Sequence, residues 1–278
     1  MTSWIIGLVL AAGIGLSLGL MGGGGSVLAL PVLVYVMGVP PKSAIAMTLV
    51  IVGVVSLLGL IPHWKAGNVN LKTAVVFGVA TMLGTFTGAK IATLPVVTEA
   101  FQMMLFAVVM VLAAGFMIYR SSRPSQRDDP LALYPKPICR YCWLWLLTEG
   151  LLVGMLTGLV GVGGGFAIVP ALVLLAKVPM KQAIGTSLLI IIANSITGFL
   201  GYLGHVSLDW HLMISFIFAA SLGTIPGAYL ARYVSAQKLQ KAFGYFLLAV
   251  ATFVLIQNRQ SFQPNPSQKP TPAVAVRR

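Results

Sequence analysis

Two glycine-rich stretches hold the most suggestive chemistry in the chain: Gly22-Gly23-Gly24-Gly25-Ser26 and Gly161-Val162-Gly163-Gly164-Gly165. Each follows a long apolar run and precedes a short one. A helix beginning at such a point exposes backbone N–H groups and the positive end of its dipole. Glycine carries no Cβ to keep an anion away from that backbone. Two such starts facing each other would hold a small anion between the N–H groups of Gly24, Gly25 and Ser26 and those of Gly163, Gly164 and Gly165. A second reading is that the glycines allow close helix packing or a sharp turn in an apolar medium. A nucleotide loop is excluded, because neither stretch ends in Lys-Ser/Thr and neither has a βαβ context.

Polar side chains inside apolar runs come next. Thr48 and Ser56 lie in the third run of the first half; Thr186, Ser187, Asn194 and Ser195 lie in the matching run of the second. Of these, Thr48, Ser187, Asn194 and Ser195 are the candidates to complete an oxyanion site by donating hydrogen bonds. Hydrogen bonding between helices is the alternative for all of them. His63, His205 and His211 read as loop-edge residues, and Lys90 and Glu149 sit near run ends, where long side chains snorkel. No nucleophile–base order, HExxH or GxSxG occurs, so the chain does not read as an enzyme. Cys139 and Cys142 form a single CxxC with no second pair, which reads as two reduced thiols beside a membrane. No cofactor and no metal site are implied.

The elements that must position these residues are membrane helices. Apolar residues make up 58% of the 278-residue chain and charged residues 8%, with only five acids. A soluble domain carries about a quarter charged residues. Apolar runs occupy Ile5–Leu20, Val27–Met37, Ala44–Ile61, Leu71–Leu94 and Phe101–Tyr119, then Trp143–Val160, Phe166–Ala176, Ala183–Leu203, Leu212–Leu230 and Ala242–Ile256. Most approach the roughly 20 residues needed to cross a bilayer. Val27–Met37 and Phe166–Ala176 reach only about half-way. The start of the chain has no basic region and no small-residue cleavage pattern, so it reads as a retained span.

The second half repeats the first at a constant offset of 139 residues, without a gap from Gly19 to Ala92: Gly19 falls on Gly158, Gly25 on Gly164, Pro31 on Pro170, Ser56 on Ser195 and Gly88 on Gly227. Shared Gly and Pro positions matter most because they shape the backbone. The expected fold is an all-α polytopic membrane protein with two inverted repeats of four to five helical segments each, carrying short interrupted helices after the glycine-rich turns. Its divisions are a first transmembrane repeat over 1–119, a cytoplasmic linker over 120–142, a second repeat over 143–257 and a disordered, Pro-rich tail over 258–278.

Inversion follows from charge. The net charge of +13 lies between apolar runs and in the tail, not on a helical face, so nucleic acid is not an expected partner. If the first two runs of each half form a hairpin, nearly all Lys and Arg outside the tail fall on one side, with Lys42 and Lys90 opposite. The positive-inside rule makes the rich side cytoplasmic and both termini external. Each half then makes an odd number of passes, the arrangement alternating-access transporters use.

At Gly19–Ser26 followed by Pro31, Gly158–Gly165 followed by Pro170, and the Leu83-Gly84-Thr85 and Leu222-Gly223-Thr224 repeats, the chain resembles the sulfite exporter TauE/SafE family, over about residues 4–256. The resemblance implies a multi-pass permease of a bacterial inner membrane that moves a small sulfur-containing anion, such as sulfite or an organosulfonate. An anion channel or a non-transporting membrane scaffold is the alternative. The partners it implies are the small anion, the lipid bilayer and a possible second copy of the chain.

Overall fold

The computed structural model describes residues 2–94, 97–122, 142–160, 165–174, 176–202, 206 and 208–258. Most of the linker, the tail beyond Asn258, His205, Cys139 and the stretch 161–164 lie outside the described residues. All regular structure described is helical. The helices are α1 (Thr2–Met21), α2 (Ser26–Pro31), α3 (Pro41–Lys65), α4 (Leu71–Ala92), α5 (Glu99–Ser122), α6 (Cys142–Val160), α7 (Gly165–Leu174), α8 (Met180–Tyr202), α9 (Trp210–Leu230) and α10 (Ala236–Asn258). Among the described residues seven helices are long and apolar enough to cross a membrane. Large apolar side chains such as Phe218 and Val9 lie exposed along them, as lipid-facing residues do.

The chain turns back early. Helix α1 ends in a 3₁₀ turn, Gly22–Gly24, from which α2 and a wide π turn, Val32–Val36, follow. A Cβ at Gly25 would stand 2.6 Å from the Leu18 Cβ, and one at Gly7 would stand 2.6 Å from the Met37 sulfur. The short segment therefore runs back along α1, and the first two runs form a hairpin. Pro31 and Pro170 sit inside the two short helices, where each lacks the N–H for a ladder bond. Both segments close alike: Met37 N–H donates to Val32 O at 3.1 Å and Ala176 N–H to Ala171 O at 3.2 Å.

Contacts repeat with the sequence. Helix α1 packs on α9 of the other half, and α6 packs on α4. The Gly19 backbone abuts Thr224 of α9, and its counterpart Gly158 abuts Thr85 of α4. Gly223 meets Ala12, and Gly84 meets the equivalent Leu151. The two halves are thus interlocked, with α3 and α8 crossing at the centre and α5 pairing with α10. Helix α4 is capped by Asn70, which accepts from Thr73 N–H at 3.1 Å; α9 is capped by Asp209, which accepts from Leu212 N–H at 3.0 Å. Residues 70 and 209 are again 139 apart.

His63 departs from its loop-edge reading. Helix α3 runs through Pro62 to Lys65, and His63 is 4% exposed inside it. Near the end of the helix the proline removes one bond without stopping the turn. Arg232 at the end of α9 donates to Pro62 O at 2.9 Å and steadies that segment.

Candidate functional site

Gly22 adopts φ +68°, the left-handed region that lets the chain leave α1 sharply. Its backbone then lies against α8: a Cβ there would stand 2.8 Å from the Ser187 hydroxyl. The next residue, Gly23, meets Gly165 at the start of α7 backbone to backbone. A Cβ on Gly165 would stand 2.7 Å from Gly23 O and 2.8 Å from the Ile191 Cδ1. The first glycine-rich turn and the end of the second therefore touch against one face of α8.

That face carries Ser187, Ile191 and Asn194 at the i, i+4, i+7 spacing of neighbouring helical positions. Asn194 is 0% exposed, and neither its amide nitrogen nor its amide oxygen has a hydrogen-bond partner. Such a group costs about 1–3 kcal/mol when left unmade. The Ser195 hydroxyl is likewise buried without a partner, and a Cβ at Gly53 of α3 would stand 2.8 Å from the Ser195 Cβ. Its repeat counterpart Ser56 on α3 is a second buried hydroxyl without a partner.

Other candidate groups are already bonded in this arrangement. Ser26 donates to Gly23 O at 2.6 Å, Thr48 to Ala44 O at 2.7 Å and Ser187 to Ile184 O at 2.8 Å. Buried hydroxyls in helices commonly turn back to a carbonyl three or four residues earlier. Gly25 packs on α1 at Ile14 and Leu18, so close packing accounts for that glycine. Gly24 closes the 3₁₀ turn. Gly163 and Gly164 lie outside the described residues. The structure thus brings Gly165 and Ser187 against the first turn and sets Ser195 between α8 and α3, while Asn194 lies about two turns beyond Ser187 on the same face of α8.

Sequence reading missed His63 and Tyr202. His63 Nε2 lies 3.1 Å from Gly19 O, and the Tyr202 hydroxyl donates to Gly158 O at 3.0 Å. The repeat offset, which joins 63 to 202 and 19 to 158, was the available signal.

The sequence profile of the sulfite exporter TauE/SafE family matches residues 6–274. The chain belongs to the TauE/SafE family. A probable membrane transporter protein of Xylella fastidiosa is 35% identical over 245 residues, covering 87% of this chain and 91% of the relative. One from Methanocaldococcus jannaschii is 29% identical, covering 73% and 79%, and YdhB of Bacillus subtilis is 24% identical, covering 78% and 84%. No solved structure matches. With seven apolar spans and this TauE/SafE membership, the chain is a multi-pass protein of a membrane transporter family.

Proposed function

We propose that this protein is a secondary transporter of a small sulfur-containing anion, such as sulfite or an organosulfonate, with one central site reached alternately from either side of the membrane. The observation that carries this reading is the contact of Gly23 with Gly165 against a face of α8 that also bears the buried, unpartnered amide of Asn194. An oxyanion entering hydrocarbon loses its water and needs replacement donors. Parting the two turns exposes the backbone N–H groups of Gly24, Gly25 and Ser26, with the Asn194 amide and the Ser195 hydroxyl as further donors; Gly163 to Gly165 and the hydroxyls of Thr48 and Ser187 complete the proposed set. The contact of the two turns is the closed position. Inversion of the repeats is supported by the α1–α2 hairpin, which leaves three further crossings in the first half. The family's name and the names of its relatives support a transporter.

Purified protein in proteoliposomes, offered radiolabelled sulfite with thiosulfate, sulfate and a sulfonate as competitors, tests the reading. Saturable flux inhibited by at least one competitor is the expected result. Flux equal to empty vesicles for every anion makes the protein a scaffold, and flux linear in concentration makes it a channel.

A further inference from the structure

The bonds to Gly19 O and Gly158 O are one bond made twice with different chemistry. His63 near the end of α3 reaches Gly19 O from its Nε2; since a carbonyl only accepts, that nitrogen carries the proton. Tyr202, the last residue of α8, is 0% exposed and donates its hydroxyl to Gly158 O. In both cases 44 residues separate the partners. The two acceptors lie in the last turns of α1 and α6. There the helical ladder runs out, and a buried carbonyl needs a donor from elsewhere.

We infer that His63 and Tyr202 are a matched pair of positioning residues. Each holds the last turn of the helix that leads into a glycine-rich stretch, and so fixes where that stretch stands against its counterpart. The inference rests on the site proposed above, because it gives the two side chains a part in setting that site's geometry. The halves are not held equally. On α6, Gln102 of α5 adds a second bond, its amide donating to Leu159 O at 2.8 Å. On the α1 side the additional support is indirect: Arg232 bonds Pro62 O, one residue before His63. Among the described residues, the last turn of α1 thus has one side-chain donor from another helix on its carbonyls, and that of α6 has two. A pair of identical clamps would make both turns equally easy to part. This pair makes the first turn, Gly22–Gly24, the more readily moved.

The test uses full-length His63→Phe, Tyr202→Phe and His63→Tyr, the last placing at 63 the side chain its counterpart carries. Three readouts are taken: thermal unfolding in detergent, deuterium exchange of the peptide covering 17–28, and the KM and maximal rate of sulfite flux. A turn that is freer but no longer held in register against its counterpart spends less time in the arrangement that carries the anion across, which lowers maximal rate with little change in KM. Both Phe variants are expected to fold and to lose about tenfold in maximal flux, the rate equivalent of one hydrogen bond of ordinary strength. His63→Phe is expected to exchange faster over 17–28, and His63→Tyr to restore both exchange and rate. Unchanged rate and exchange in both Phe variants, or a His63→Tyr protein as slow as His63→Phe, overturns the inference. If His63→Phe fails to fold, Tyr202→Phe, which keeps its ring, decides through the rate. If the wild-type protein carries no sulfite, the substrate reading fails alone; faster exchange in His63→Phe that His63→Tyr reverses still supports the clamp, and unchanged exchange refutes it.

Discussion

Asn194 sets stability against function on a single side chain. Its amide is fully buried with both polar atoms unbonded, a cost that selection for stability alone removes by an apolar residue of the same size. Asn194→Leu is expected to raise stability by about 1–3 kcal/mol, the usual cost of an unsatisfied buried group. It is also expected to reduce anion flux at least about tenfold, since the proposed site loses one donor. Thermal unfolding in detergent and proteoliposome flux, taken on the same preparation, check both halves. A destabilised Asn194→Leu protein with normal flux means the amide is a structural group. Lys177 offers a purely conformational counterpart. It holds φ 54°, where its repeat mate Gly38 holds φ 71°. A side chain in that region costs about 1–2 kcal/mol, offset in part because glycine gains more freedom when unfolded. Lys177→Gly is therefore expected to stabilise by about 0.5 kcal/mol and Gly38→Ala to destabilise by about 1 kcal/mol, with flux unchanged in the first. Opposite signs in a melting comparison check the assignment.

At the scale of elements, the glycines of the hairpin divide into two kinds that look the same in sequence. Gly25 faces its own helix α1, and an added Cβ collides with the backbone at Leu18. Gly165 faces Gly23 across the turn-to-turn contact. Gly25→Ala is expected to push α2 off α1 and cost about 1–3 kcal/mol, as overpacking does, with poor recovery of monodisperse protein. Gly165→Ala wedges apart a contact that opens in the proposed transport cycle, so it is expected to stay folded and lose flux. Gly13, with nothing within 4 Å of an added Cβ, serves as the control, gaining about 1 kcal/mol of helix propensity as Ala. Size-exclusion profiles and flux for the three variants distinguish these outcomes; a folded Gly25→Ala protein that carries no anion means that this glycine serves anion access rather than packing alone. The constant offset of 139 residues made the correspondence between halves legible, down to the paired caps at Asn70 and Asp209. Helix partners were not legible. Helix α1 is apolar on all sides and carries small residues on more than one face, so nothing local says that it packs on α9, far along the chain. The hydroxyls of Thr48 and Ser187 were recognisable as buried, but not their bonds to their own helices, because the choice between a carbonyl three or four residues back and a ligand is made by packing. His63 was hidden by Pro62, which reads as the end of a helix that in fact continues.

For the whole molecule, charge and helix contacts both support the proposed arrangement in the membrane. Charge placed Lys65, Lys181 and Arg232 on one side once the first two runs were taken as a hairpin. The structure brings those ends together: Arg232 Nη2 donates to Pro62 O near the end of α3, and Lys181 Nζ at the start of α8 donates to Arg232 O at 3.3 Å. The hairpin itself returns Met37 to Gly7, so α3 starts from the side on which α1 began. Three crossings, α3 to α5, then carry the chain to the basic side and into the linker. In the second half the repeat offset predicts that α6 and α7 leave from and return to that side and that α8 to α10 end opposite. Residues 120–142 should therefore face the cytoplasm and the tail after Asn258 should face outward. The only two cysteines, Cys139 and Cys142, lie in or beside that linker, which makes the native protein its own probe. In intact cells a membrane-impermeant maleimide is expected to leave both unlabelled until the membrane is permeabilised. A Ser267→Cys variant, with Cys139 and Cys142 replaced by serine, is expected to label without permeabilisation. Labelling of Cys139 or Cys142 from outside, with the tail protected, reverses the whole orientation; labelling of both regions from the same side removes the odd number of crossings between them and with it the inverted relation of the repeats.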